Sequence, residues 1–235
     1  MKRAIGNIWA IVLLSVVAAG RIALAEFVAP SDFDFKSLLP APPEDHSDAW
    51  RTEIDQLLKL QDKRTDDDVT RIESESKMTA FIFSKAMGSW FNPDDLPKTA
   101  DFLAKVMKDT SEVVTAGKQT YQRHRPFTTE PKLHPCSDKE KTFSYPSSHS
   151  TRAMVMAMVL SEMFPDEKKA LMAQGMQIGD DRALAGQHYP SDVAAGRTLA
   201  KAIFDKMEKD PKFADQLAAA KLECAAKEPV AQVAK

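Results

Sequence analysis

Tyr145-Pro146-Ser147-Ser148-His149-Ser150 runs straight into the apolar stretch Ala153 to Leu160, and the reading of this junction decides the fold of the 235-residue chain. Pro146 fixes φ just ahead of a turn, and Ser147 or Ser148 is a good N-cap, so a loop here becomes a buried helix. The first N–H groups of such a helix have no partner inside it and lie at the positive end of its dipole. That end is an anion site, most often for phosphate, and His149 in the first turn sets an ionisable group beside it. An ordinary capped helix with a stray histidine fits the same six residues, so the functional weight rests on the other segments.

Working outward, helical periodicity continues on both sides. Ser47 or Asp48 caps a helix carrying Trp50, Ile54, Leu57, Leu58 and Gln61 at three- and four-residue spacing. A second helix is expected from about Val69 to Met87, with Asp66-Asp67-Asp68 as an acidic first turn rather than a metal box. Asn92-Pro93-Asp94-Asp95 is a turn, and Leu96 to His124 reads as one or two helices. Pro126 to Pro146 holds four prolines and forms a long connecting loop. Beyond the central helix, Asp166 opens another, Ser191 caps a helix from Val193 to Met207, and Pro211 starts the last. No β-alternation of useful length appears. The fold class is therefore all-α. A single helical domain is expected over 47–227, behind an extended proline-rich arm (26–46) and ahead of a frayed tail (228–235). Met154, Met156, Met158 and Met163 read as core.

The N-terminus reads as an address. Lys2 and Arg3 precede an apolar run from Ala4 to Gly20, and Ala23-Leu24-Ala25 is a small-x-small cleavage site before Glu26. The run is shorter than the ~20 residues of a membrane span, so residues 1–25 are expected to be a signal peptide, with an uncleaved anchor as the alternative. The mature chain would lie in the periplasm or be secreted. Its loss removes Lys2, Arg3 and Arg21 and no acids, moving the net charge from −2 to −5. An acidic chain without a basic tract is a poor nucleic-acid binder. No later stretch is apolar enough to insert in a membrane. Cys136 and Cys224, the only cysteines, suit one disulfide in an exported protein, with two free thiols as the alternative. Without a CxxC or a cysteine–histidine cluster there is no zinc site.

Three segments carry polar residues that make little sense as core. In Lys118-x6-Arg125-Pro126, seven residues turn a helix about 700°, so the two cations are expected on one face, where only a shared anion relieves their repulsion. A solvated basic face including Lys108, Arg123 and His124 is the plainer explanation. The second segment is Pro146-Ser147-Ser148-His149. The third is Arg182-x5-His188-x3-Asp192, with Arg182 a planar fork suited to phosphate. Asp192 can accept from His188 Nδ1–H, which would leave Nε2 lone-paired as nucleophile or base.

Taken in order, these three segments resemble the signature of the phosphatidic-acid-phosphatase-type-2 (PAP2) superfamily. The signal peptide, the size and the Leu39-Pro40-Ala41-Pro42-Pro43 arm resemble its soluble branch, the bacterial class A non-specific acid phosphatases. The resemblance implies hydrolysis of phosphomonoesters, nucleotides among them, without a metal or other cofactor, and with vanadate as a phosphate-mimicking inhibitor. His188 would be the nucleophile, forming a phosphohistidine. Asp192 would hold its ring, and His149 would serve as general acid and then base. Lys118, Arg125, Ser147, Ser148 and Arg182 would bind phosphate. Homo-oligomers are usual in the family. Two departures stand out: Ser148 replaces the usual glycine, and Asp181 replaces the usual serine before Arg182. Two alternatives share the signature, a non-catalytic phosphate- or nucleotide-binding protein and a vanadium-dependent haloperoxidase.

Overall fold

The computed structural model describes residues 25–228, and among these residues it contains helices and no strand. The helices are α1 (Phe35–Leu38), α2 (Asp48–Lys63), α3 (Asp66–Ser74), α4 (Ser84–Met87), α5 (Pro97–Tyr121), α6 (Pro126–Thr129), α7 (Ser148–Met163), α8 (Lys168–Leu184), α9 (Pro190–Met207) and α10 (Pro211–Ala225). The expected leader, except Ala25, and residues 229–235 of the tail lie outside the described residues.

The organising helix is α7. Its apolar residues do not form a stripe, because it is covered on nearly every side: α8, α9 and α5 all pack on it. Two glycines permit this. A Cβ at Gly175 of α8 would stand 2.8 Å from Ala157 Cβ, and one at Gly196 of α9 would stand 2.8 Å from the Ser147 carbonyl oxygen. The second approach matters for function, since it draws the start of α9 against the start of α7. Met154, Met156 and Met163 are buried, and Met158 packs partly buried against them, as expected of a core stripe.

The proline-rich arm lies over the bundle through Phe27, Val28, Phe35 and Leu39. Phe27 meets Phe102 of α5 and Phe213 of α10 edge-on, at centroid separations of 6.0 and 5.5 Å. The buried Asp109 carboxylate accepts from the backbone N–H groups of Phe27 (2.7 Å) and Val28 (3.2 Å), fixing the arm to α5.

Several local expectations are corrected. The helix expected to reach Met87 stops at Ser74, where Ser74 Oγ donates to the Arg71 carbonyl and Glu75 is drawn inward to Arg182. Residues 80–83 then form a 3-10 turn. The aspartate triplet is a helix start: Thr65 and Asp68 cap each other's backbone, as the acidic-first-turn reading requires. Leu96 to His124 holds one helix, closed by Gln122 in the left-handed region (φ 49°). Ser191 does not cap α9. The helix begins at Pro190, and Asp192 reaches back to the Tyr189 N–H at 2.9 Å. Cys136 and Cys224 are both free thiols. Cys224 Sγ packs 3.5 Å from Thr99 Oγ1 where α10 meets α5, whereas Cys136 N–H donates to the Ala185 carbonyl beyond the end of α8.

Candidate active site

Five chain segments converge at one end of α7, and their geometry follows from how each helix starts or stops. Lys118 lies in the last turn of α5. Because that helix ends at Gln122, Arg125 is not on the same helical face, contrary to the spacing argument. Arg125 precedes a proline, which holds it extended (φ −75°, ψ 147°). In extended backbone alternate side chains point the same way, so Arg123 and Arg125 turn inward while His124 stays exposed and faces Asp45 at 3.1 Å. Both expected cations are buried at the site nonetheless.

Arg125 is the hub. Its Nη1 donates to the Gln187 carbonyl and to His188 Nε2, each at 3.0 Å; Nε donates to the Thr142 carbonyl at 2.8 Å, and Nη2 to Glu140 Oε2. A guanidinium nitrogen can only donate, so His188 Nε2 is the unprotonated nitrogen and Nδ1 carries the proton. That Nδ1–H points at Asp192 Oδ2 (3.2 Å), with Ser144 Oγ at 3.3 Å. The arrangement expected for His188 and Asp192 is therefore present.

Asp192 is in turn held from four directions. Ser144 Oγ donates to Oδ2, as does the Tyr189 N–H, and Oδ1 accepts from Arg123 Nη1 at 2.7 Å. Its backbone carbonyl accepts from the Ser147 N–H at 3.0 Å, which ties the start of α9 to the start of α7. Arg123 continues the chain inward: Nη2 donates to Glu53 of α2 at 2.7 Å, and the guanidinium lies 3.7 Å from the Tyr189 ring centroid. Arg123, Glu53 and Asp192 are all buried.

Ser147 caps α7, accepting from the Ser150 N–H, and Ser148 occupies the first helical position with negative φ, so its N–H keeps the direction a glycine would give it. His149 follows in the first turn. Both its ring nitrogens are buried without a hydrogen-bond partner. Burial, reinforced by the charges of Arg182 and Arg152, pushes its pKa down to about 3. His188 is likewise pushed well below the ordinary histidine value by burial and by Arg125 and Lys118. Burial and Arg125 bring the Lys118 ammonium down to about 7.

Arg182 stands in the last turn of α8, donating to Glu75 (3.2 Å) and the Ile72 carbonyl (3.3 Å), with Nε buried and unpaired. It lines, with His149, Glu140 and Cys136, a cleft of about 650 Å³. The preceding Asp181 is buried outside the residues that line that cleft, takes Arg71 in a two-point pair at 2.8 and 2.9 Å, and adjoins Glu75. Among the described residues, no cluster of three or more His, Cys, Asp or Glu side chains is arranged to hold a metal ion.

Glu140, Ser144, Gln187, Arg123, Glu53 and Glu75 are the residues that sequence reasoning missed. Only Arg123 left a signal, the Arg-x-Arg-Pro alternation that extended backbone imposes ahead of proline. Gln187 and Ser144 lie beside or within the quoted segments but carry no spacing that marks them, and Glu53, Glu75 and Glu140 come from other parts of the chain.

Comparisons with known proteins agree with this geometry. A family model described as the PAP2 superfamily matches residues 103–204, which contain every segment of the site except those supplying Glu53, Arg71 and Glu75. A non-specific acid phosphatase of Providencia stuartii is 30% identical over 203 residues, covering 82% of this chain and 81% of the relative. One from Salmonella typhimurium is 31% identical over 196 residues, covering 77% and 76%. With three phosphatase-type segments brought together at one end of α7 and relatives matching over most of their length, the chain belongs to the PAP2 superfamily, in the branch of the bacterial non-specific acid phosphatases.

Proposed function

We propose that this phosphatase is an exported, metal-independent acid phosphomonoesterase that works through a phosphohistidine at His188. The observation that carries the reading is the tautomer of His188. Arg125 donates to Nε2 while Asp192 accepts from Nδ1–H, so the nitrogen facing the cations is the one with a lone pair. Its lowered pKa keeps that lone pair available in mildly acidic solution, where an unperturbed histidine would be mostly protonated.

In the reaction, Lys118, Arg125 and Arg182 neutralise the phosphoryl oxygens, assisted by Ser147 and by the N–H groups of Ser148 and His149 at the positive end of α7. The lone pair on His188 Nε2 attacks phosphorus in line, and the ester oxygen departs. Asp192 and the buried Arg123 hold the ring as it becomes positively charged. His149 gives the leaving alcohol its proton. It then takes a proton from the water that cleaves the phosphoryl–nitrogen bond, which frees phosphate and restores His188. The low pKa of His149 describes the free cleft; an anion bound beside its two unpartnered nitrogens favours the charged ring.

The two departures from the family pattern leave this scheme intact. Ser148 keeps its N–H and its negative φ, and Asp181 is turned to Arg71. Neither departure therefore favours a non-catalytic binder over a phosphatase. Phosphomonoesters, nucleotides included, are the substrates, with vanadate as a mimic of the transferring phosphoryl group. Export rests on the 1–25 leader, and a homo-oligomer on the family's habit. No described helix is long and apolar enough to cross a membrane. The test is hydrolysis of para-nitrophenyl phosphate with EDTA present, from pH 4.5 to 7.5. Turnover that vanadate blocks is expected. Phosphate binding without turnover would overturn the hydrolase reading.

A further inference from the structure

The residues meant for phosphate already hold an anion, and it belongs to the chain. Residues 134–143 run across the site as a strap, and Glu140 at its middle reaches into the cations. Glu140 Oε2 accepts from Arg125 Nη2, and Oε1 is 3.6 Å from His149 Nδ1. The carboxylate also acts electrostatically on Lys118, His188 and Arg152. It is thus one of the counter-charges of the cluster, beside Asp192, which also acts on Lys118. Burial would raise its pKa, but Arg125, with His188 and His149, brings it down to about 2, so it stays ionised wherever the enzyme works. Of the other acids nearby, Asp192 lies on the far side of the His188 ring and Glu75 pairs with Arg182, while Glu73 and Asp138 line the cleft beside Glu140.

The strap divides the space above the site. On one side lies the cleft lined by His149 and Arg182; on the other is a hollow of about 280 Å³ lined by Lys118 and Ser148. The phosphate-binding side chains are therefore split between two hollows with the strap between them. Most of the ties that hold the strap are polar. Gln187 Nε2 donates to the carbonyls of Ser137 (3.3 Å) and Asp138 (2.9 Å), Arg125 donates to Thr142, and Lys118 Nζ donates to the Phe143 carbonyl. Between the buried Leu133 and Ser144 the strap side chains are exposed or half-buried, Pro135, Cys136, Glu140 and Phe143 among the half-buried ones, so lifting it uncovers no fully buried core side chain.

We propose that Glu140 is an internal stand-in for phosphate, and that substrate binds by displacing it and lifting the strap. The proposal rests on the phosphatase reading for the identity of the ligand. Displacement frees Arg125 Nη2 for a phosphoryl oxygen. It also lets Arg125 withdraw from His188 Nε2, which in the closed arrangement is covered by Nη1. Glu140 therefore sets the anion affinity of the free enzyme: a tetrahedral phosphoryl group, offering three oxygens to these donors, outcompetes a carboxylate, and weaker anions do not enter.

The test compares wild type, Glu140→Gln and Gln187→Ala for binding of inorganic phosphate by titration calorimetry and for KM and kcat on para-nitrophenyl phosphate. Removing the competing charge is expected to tighten phosphate binding about tenfold and to lower KM in Glu140→Gln, with a smaller shift in the same direction for Gln187→Ala. If Glu140 instead aligned Arg125 for substrate, phosphate affinity would fall and KM rise, which would overturn the proposal. Should Glu140→Gln not fold, Gln187→Ala decides by the same criterion. Tighter phosphate without turnover in any variant would sink the hydrolase reading and uphold the displacement. Turnover with phosphate affinity unaltered by both substitutions would do the reverse.

Discussion

Arg125 Nη1 lies 3.0 Å from His188 Nε2, and because the guanidinium can only donate, that contact fixes the proton of His188 on the opposite nitrogen, facing Asp192. The tautomer of His188 is thus determined from both sides. Asp192→Asn keeps the shape but offers an amide that can donate to Nδ1 and favour the wrong tautomer. It is expected to lower kcat by about a thousandfold or more with little change in fold, measured by steady-state kinetics beside circular dichroism.

The buried chain Glu53–Arg123–Asp192 supports that pair from below. Arg123→Ala would leave two buried carboxylates facing each other without their cation. A loss of about 3–5 kcal/mol is expected in denaturant unfolding. Glu53→Gln in the Arg123→Ala background should recover part of it, since one of the two uncompensated charges is then gone.

Asp181 pairs with Arg71 and not with Arg182, so we assign it a structural role. Asp181→Asn should therefore cost stability, about 1 kcal/mol given that Arg71 is partly exposed, while KM for a phosphomonoester stays at the wild-type value. A fall in KM would mean instead that its charge reaches the cleft.

His149 carries a pH dependence whose sign can be worked out. In the free cleft its pKa of about 3 leaves it neutral at pH 5. A bound oxyanion raises that pKa, so binding takes up a proton and affinity falls as the pH rises. Sulfate, which does not titrate in this range, is the clean probe. Calorimetry at pH 5 in buffers of different ionisation enthalpy should report proton uptake in wild type and markedly less in His149→Ala.

The helices were legible in the chain because their signals are local. The all-α class, the α7 junction, helix between Leu96 and His124 (though not that it is one helix) and the α10 start at Pro211 follow from caps, prolines and spacing. Errors arose where a tertiary partner overrode the local pattern. The helix after the aspartate triplet ends early because Glu75 turns in to Arg182, and Ser191 yields the capping role to Asp192 because that carboxylate already faces His188. The Lys118–Arg125 spacing led to the right pair of cations by the wrong geometry: one sits on a helix, the other on extended chain beyond it. Glu140 was beyond reach, since an acid in a polar loop looks like any solvated charge until the fold lowers it onto Arg125. The disulfide failed for a similar reason, as two cysteines in sequence say nothing of which surfaces they will occupy.

The central claim is that His188 carries the phosphoryl group. Its direct measurement is rapid quench of wild-type enzyme with a phosphomonoester, followed by peptide mass spectrometry under conditions that preserve phosphohistidine. The account predicts a phosphoryl adduct on His188, present during turnover and absent in His188→Ala. An adduct on His149, or turnover with no phosphoenzyme at any time, would contradict it.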